Sequence, residues 1–412
     1  MKLSPDVFAQ IEKLLDRLFE TSPFYQKIFA QAGLERGDIR TPEDFQKIPF
    51  TDKDALRMAY PLGLQAVPDS EVVRIHSSSG TTGSPVIIPY TRQDVKDWAE
   101  MFARCYAIAG VTNRDVIQIT PGYGLWTAGI GFQAGAERLG AMAVPMGPGN
   151  TDKQFRMMID LKSTVLCSTS SYALLIAEEA EKRGVKDQLH LKKGVIGSER
   201  WGDRMRQRIR DELHIELYDI YGLTEIYGPG IAIDCSRHEG LHYFDDYLYF
   251  EIIGADGCPV PDGEWGELAI TTLRKQAAPL IRYRTHDITR ILPHRCSCGR
   301  SYPMIDRIMG RTDDMIKVKG VNIYPGQVEE VLKNCGGASS EYQIHIRHED
   351  GRDSLLLKVE KEPEADGGAL EQELVHRFKS QIGIRIEAEA VGIGALPRSE
   401  KKSRRVFDYR CG

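Results

Sequence analysis

Between residues 72 and 220 the chain alternates short apolar runs with longer amphipathic ones, and this alternation limits the possible folds more than any other feature. Runs at 72–75, 86–90, 116–119, 141–144, 164–167, 193–196 and 215–220 read as strands. Stretches at 92–109, 154–161 and 171–183 carry apolar residues at helical spacing. Strand and helix in turn predict parallel sheets covered by helices, and uncharged runs such as Val116-Ile-Gln-Ile119 suit strands buried on both faces. In such sheets ligands sit just beyond the carboxyl ends of strands. Two polar turns occupy that position, Gly197-Ser-Glu199 and Tyr221-Gly-Leu-Thr-Glu225, and are candidates for nucleotide contact.

The flanking regions read differently. Near the start, Val7, Ile11, Leu14, Leu15 and Leu18 share one helical face, with Ser4 as N-cap and Pro5 in the first turn. After about residue 230, runs at 247–253 and 267–272 separated by a Gly-, Pro- and Asp-rich loop predict antiparallel strands. From Asp313 onward a helix after Pro325, strands at 343–346 and 355–359 joined through Asp350-Gly351, a helix near 370–381 and a strand near 385–391 predict a small α+β unit. The expectation is an α/β chain with an N-terminal domain over 1–312, a β-rich subdomain at about 230–305 and a C-terminal domain over 313–412. At 412 residues at least two domains are expected in any case.

Ser77-Ser-Ser-Gly-Thr-Thr-Gly-Ser-Pro85 contributes little to a core but offers unhindered N–H groups, hydroxyls and two free glycines, the chemistry of a phosphate cradle. By composition alone it is equally a Ser/Gly-rich surface loop; the strands on either side make it a tight connection within a domain. The run 121–131 interleaves glycines with Tyr123 and Trp126, which suits either an aromatic-walled pocket or a glycine-spaced helix start packed in the core. A net charge of −5 argues against general affinity for nucleic acid or anionic membrane. Nowhere do about 18 uncharged apolar residues follow one another, and no signal peptide is visible, so a cytoplasmic location is expected. Eight scattered cysteines are then thiols or metal ligands.

Five polar clusters occur in order: the Ser/Thr/Gly run, Tyr221 to Glu225, Tyr283-Arg-Thr-His-Asp287, Gly310-Arg-Thr-Asp-Asp-Met-Ile-Lys-Val-Lys-Gly320 and Pro397-Arg-Ser-Glu-Lys-Lys402. Together they resemble the adenylate-forming superfamily, which includes acyl- and aryl-CoA synthetases, firefly luciferase and the adenylation domains of peptide synthetases. Within it the chain resembles the phenylacetate–CoA ligase family over essentially its whole length. It has that family's Ser22-Pro-Phe-Tyr25, Tyr123-Gly-Leu-Trp-Thr127, Gly135-Ala-Glu-Arg138, Gly149-Asn-Thr151 and Gly320-Val-Asn-Ile-Tyr-Pro325. The resemblance implies a mobile C-terminal domain and a two-step reaction. A carboxylate attacks the α-phosphorus of ATP to give an acyl-adenylate and pyrophosphate, and coenzyme A then displaces AMP.

The roles that follow are implied by that resemblance. Ser78, Ser79, Gly80, Thr81, Thr82 and Gly83 hold the β- and γ-phosphates, and Ser84 stands where many relatives have a lysine, so the cradle is neutral. Thr224 contacts phosphate and Glu225 ligates Mg²⁺, a hard donor for a hard cation. Asp287 binds the ribose hydroxyls; the bland alternative is an ion pair with Arg282 or Arg284. Ser198 and Glu199, with Tyr221 and Gly222, line the adenine, Arg311 contacts the nucleotide and Asp313 is the hinge. Tyr123, Gly124 and Trp126 build the pocket for an aryl acid.

Lys402 matches the lysine that neutralises charge developing during adenylation, although Lys401 replaces the usual glycine before it and a merely basic tail is the alternative. Cys296-Ser-Cys298-Gly299, with Cys235 upstream, reads either as free thiols or as part of a closed Zn²⁺ site; the family pattern favours structural zinc with His242 as fourth ligand and His238 as its competitor. Expected small-molecule partners are the acid, ATP and coenzyme A, with a homodimer as the default assembly. The competing functions are an acid-adenylating enzyme that loads a carrier protein and a nucleotide-binding homologue without chemistry.

Overall fold

The structure, a computed structural model, describes residues 3–78, 84–199, 201–318, 321–349, 352–399 and 403–410. Its contacts divide the chain into two units, 1–147 with 218–308, and 148–217 with 309–412.

The first unit starts with helices Pro5–Thr21 and Pro23–Ala32. Ser4 caps the first as expected, its Oγ accepting from the Val7 N–H at 3.3 Å. Ile11, Leu14, Leu15 and Leu18 pack with Tyr25 and Phe29 in one apolar cluster. At about 1.5–3 kcal/mol for each buried side chain, this packing is what holds helices of such length. Strands Val72–Ser77 and Ile87–Thr91 then form an antiparallel hairpin with Ser77 opposite Ile87. The Ser/Thr/Gly run is therefore the hairpin's connection, and residues 79–83 lie outside the described residues.

Helix Arg92–Ile108 follows, opened by a reciprocal Thr91/Asp94 capping box. Its Trp98 and Phe102 press on helix Ala128–Leu139. A Cβ at Gly131 would lie 2.5 Å from the Trp98 ring and one at Gly135 2.7 Å from Phe102, so only glycine allows this approach. Strands Val116–Ile119 and Met142–Pro145 pair in parallel, as the alternation predicts.

After residue 217 the pairing in this unit is antiparallel. Strand Glu216–Leu223 pairs with Gly228–Asp234, then Leu241–Tyr243, Met304–Ile305 and Ile291–Leu292 follow. Leu248–Ile253, Gly266–Thr272 and Tyr283–Thr289 form a second antiparallel set. One expectation is corrected: Tyr221 to Leu223 continue the strand, and the turn begins only at Thr224. The signal was masked because the partner strand opens with Gly228-Pro-Gly230, which reads as a turn. Gly222 is what admits it, since a Cβ there would lie 2.1 Å from the Gly228 carbonyl oxygen.

In the second unit, strands Val165–Thr169 and Lys193–Gly197 pair in parallel. Helices Thr151–Asp160, Ser170–Lys182 and Asp203–Leu213 pack with them through Phe155, Met158, Leu174, Met205 and Ile209. The last helix is not apparent in the sequence, because charged residues surround its three buried positions Met205, Ile209 and Leu213. The C-terminal part is a four-stranded sheet in the order Glu387–Val391, Arg352–Lys361, Ala338–Glu349, Val406–Asp408, with helices Pro325–Lys333 and Gly367–Arg377. The predicted elements are present. The strand Val406–Asp408 is an addition, seated by parallel pairing of Ile344 with Val406 inside what reads as a basic tail. Among the described residues no helix is long and apolar enough to cross a membrane.

Candidate active site

The hairpin end and the loop before helix Ala128–Leu139 meet directly in the first unit. The Ser77 N–H donates to the Leu125 carbonyl at 2.8 Å. Ser78, expected among the phosphate donors, uses its groups to close the hairpin here: its N–H donates to the Val86 carbonyl at 3.0 Å and its Oγ accepts from the Val86 N–H at 3.1 Å. Tyr123 and Trp126 are partly exposed in the adjoining loop, and Gly124 takes φ +92°. The reading as a glycine-spaced helix start packed in the core holds at Gly129, Gly131 and Gly135. The loop presents the aromatics, while Gly129 allows the Tyr123 ring to pack against the helix start, where a Cβ would stand 2.7 Å from it.

His76, 3% exposed, donates from Nδ1 to the Leu125 carbonyl at 3.2 Å and meets the rings of Tyr90 and Trp98 edge-on. Burial pushes its imidazole down from 6.5 to about 4. Between those values the unfolded chain takes up a proton that the folded one refuses. This contribution is complete above pH 6.5 and is lost as pH falls, by about 3 kcal/mol near pH 4. Unfolding free energy measured across pH 4–6.5 is expected to slope accordingly, and His76→Gln to flatten it; an unchanged slope in the variant assigns the effect elsewhere.

Thr224 and Glu225 sit in the turn between the antiparallel strands. The hydroxyls of Thr224 and Thr127 are 3.3 Å apart. Glu225 is 5% exposed and its Oε1 accepts no hydrogen bond among the described residues, with Lys53 Nζ 3.3 Å away. A buried carboxylate oxygen that already faces the Lys53 ammonium suits positive charge, and a hard divalent cation such as Mg²⁺ would fit it.

The turn is braced by Lys275, which the sequence did not single out. Its buried ammonium donates to the carbonyls of Glu225, at 3.4 Å, and Ile226, and lies 4.6 and 4.9 Å from the ring centroids of Tyr90 and Tyr227. Burial pushes it down from 10.5 to about 7. In the charged run Leu273-Arg-Lys-Gln276 nothing distinguishes it from a solvated lysine.

Asp287, on strand Tyr283–Thr289, is 6% exposed and its Oδ2 accepts from the Tyr221 hydroxyl at 2.5 Å. The alternative ion pairs do not form. Arg282 bonds Glu251 at 3.2 and 3.3 Å together with two carbonyls, and Arg284 bonds Glu267. Tyr221 and Asp287 are thus brought together, and Gly222 lies beside Tyr221 on the strand.

In the second unit, Ser198 follows the strand Lys193–Gly197 at φ +70°. Glu199, expected at the adenine, has both oxygens engaged: Oε1 accepts from the Ser171 N–H at 2.7 Å and Oε2 from the Ser403 N–H at 3.1 Å. Arg311 and Asp313 form a two-pronged ion pair, each bond 2.8 Å, so the nucleotide-contacting and hinge candidates hold one another in this structure. Lys401 and Lys402 lie outside the described residues.

Away from these groups, Cys235, His242, Cys296 and Cys298 converge in the first unit, their ligand atoms all within 4.8 Å of one another. The Cys235 and Cys296 sulfurs are 3.6 Å apart, close to the roughly 3.8 Å edge of a tetrahedron with 2.3 Å Zn–S bonds. His242 Nε2 lies 3.4 Å from Cys298 Sγ, while its Nδ1–H donates to the Tyr302 carbonyl, which fixes the tautomer that leaves Nε2 as the donor to a metal. His238 bonds Asp234 at 2.9 Å instead. Three sulfurs and one nitrogen form a donor set suited to zinc.

The model of the AMP-binding enzyme family matches residues 29–273, and that of the AMP-binding enzyme C-terminal domain matches residues 320–410. The structure is similar to 2-hydroxyisobutyryl-CoA ligase in the postadenylation state with a bound acyl-AMP, at TM-score 0.88 and 28% identity over 98% of this chain and 89% of that one. The chain belongs to the AMP-binding, adenylate-forming enzymes and has their fold, in the class of AMP-forming acid–thiol ligases. Within them it belongs with the phenylacetate–coenzyme A ligases. It is 41% identical to that enzyme of Escherichia coli (strain K12) over 99% of this chain and 98% of the relative, and 40% identical to that of Thermus thermophilus over 97% and 95%.

Proposed function

We propose that this chain joins phenylacetate, or a close aromatic acid, to coenzyme A at the expense of ATP. The observation that carries the reading is the hydrogen-bonded pair of Tyr221 and the buried Asp287, together with the buried Glu225 carboxylate, in a chain similar to phenylacetate–CoA ligases over nearly its whole length. Asp287 has the two acceptor oxygens that a ribose diol requires. Thr224 contributes a hydroxyl toward phosphate, and Glu225 with Lys275 behind it keeps an acceptor fixed in a buried turn. Mg²⁺, when bound, supplies positive charge to phosphate oxygens that the neutral Ser/Thr/Gly run cannot.

In the first step an oxygen of the acid forms a bond to the α-phosphorus as the bond to pyrophosphate breaks, with Lys402 as the neutralising cation. In the second, the sulfur of coenzyme A bonds to the acyl carbon as the bond to AMP breaks, and the thiol proton passes to solvent. Tyr123 and Trp126 provide the aromatic wall for the acid. Zinc held by Cys235, His242, Cys296 and Cys298 is structural, since four protein ligands leave no open position.

The test is AMP release from a panel of aromatic and aliphatic acids with free coenzyme A. Phenylacetate is expected to exceed acids one methylene shorter or longer by roughly 10- to 200-fold. AMP formation with no aryl acid, or only with a carrier protein as acceptor, overturns the reading.

A further inference from the structure

We propose that helix Ser170–Lys182 and Glu199 hold Arg398 and Ser403, which flank Lys402 in the sequence, and that Glu178, Ser171 and Glu199 are positioning residues for the adenylation step. The proposal rests on the functional reading above, in which Lys402 is the adenylation lysine.

This seat consists of two clasps. Upstream, one guanidinium is shared by two carboxylates. Arg398 donates to Glu178 from Nη2 at 2.6 Å and from Nε at 2.9 Å, and to Glu360 from Nη1 at 2.9 Å and Nη2 at 2.8 Å. Glu360 is fully buried and also accepts the N–H groups of Gly394 and Leu396 at 3.0 Å, so the turn leading to Arg398 is ordered by the same carboxylate. Downstream, Glu199 accepts the Ser403 N–H at 3.1 Å and the Ser171 hydroxyl at 2.9 Å, and the hydroxyls of Ser171 and Ser403 are 2.7 Å apart.

Ser171 and Glu178 are seven residues apart on one helix. That spacing is two turns, so both face the same way about 10 Å apart along the axis. A rigid element therefore holds Arg398 at one end and Ser403 at the other. A buried arginine between two carboxylates is a weak source of net stability because its desolvation offsets the attraction, but it admits one geometry. That is what a lysine needs if it must meet charge developing at a reacting phosphorus. The second half-reaction, in which that lysine has no part, does not require the seat.

The experiment compares the two half-reactions in Glu178→Gln, which keeps the side chain's shape and its contact with Arg208 while removing the charge. Acid-dependent pyrophosphate release is expected to fall roughly 10- to 100-fold. Thioester formation from supplied acyl-adenylate and coenzyme A is expected to stay within about twofold of the unmodified enzyme. In a Lys402→Ala background the same change is expected to add no further loss, because both act through one group. Ser171→Ala tests the second clasp and is expected to show the same split with a smaller loss. An equal fall in both half-reactions, an additive loss with Lys402→Ala, or no change in either step overturns the proposal. An unmodified enzyme that performs neither half-reaction removes the functional reading, and the proposal with it.

Discussion

Lys402→Ala is expected to lower acid-dependent pyrophosphate release by roughly 10²- to 10³-fold, the usual cost of removing one fixed charge or donor from a developing oxyanion. Thioester formation from supplied adenylate should remain. The argument is electrostatic. The hairpin connection Ser77 to Pro85 carries no cation, and Ser84 stands where the family resemblance leads one to expect a lysine, so under the proposed function the compensating charge is assigned to a metal at Glu225 and to the C-terminal segment. The neighbouring Lys401→Ala, by contrast, should leave both steps near their original rates. Full adenylation by Lys402→Ala, or a loss confined to Lys401→Ala, would reject the assignment.

Cys298→Ser is expected to reduce bound zinc from about one per chain to near zero, as read by metal analysis of the purified protein. It should also destabilise the first unit. A cross-link closing a loop of roughly sixty residues, here Cys235 to Cys298, contributes about 4 kcal/mol in the chain-entropy treatment, and the metal bond plays the same part while it lasts. Chelation of the unmodified protein should reproduce the loss, and His238→Ala should not, because His238 bonds Asp234. Equal metal content and stability in Cys298→Ser would show that the four groups are ordinary thiols and an imidazole.

Much of the architecture was legible because burial imposes periodicity. The helix at Pro5–Thr21, the parallel strands at Val116–Ile119 and Val165–Thr169, and the C-terminal hairpin all announce themselves through apolar spacing. Elements whose burial is narrow or rich in glycine did not. Helix Asp203–Leu213 buries three residues among charges, and Gly228–Asp234 begins with a sequence that reads as a turn. The motif residues were found as types in an order, which is enough to suggest chemistry but not to show which atoms have spare capacity.

The sequence by itself determined the class of fold, the absence of charge in the Ser/Thr/Gly run, the buried faces and the cysteine and carboxylate types of the candidate sites, because each depends on composition, spacing or a local motif. Only the tertiary structure decided partners. It gave Asp287 to Tyr221 rather than to Arg282 or Arg284, chose His242 over His238, and turned Glu199 and Glu178 toward Ser403 and Arg398 more than 200 residues away. Pairing energies act over a few ångströms of space, and separation along the chain carries almost no information about them.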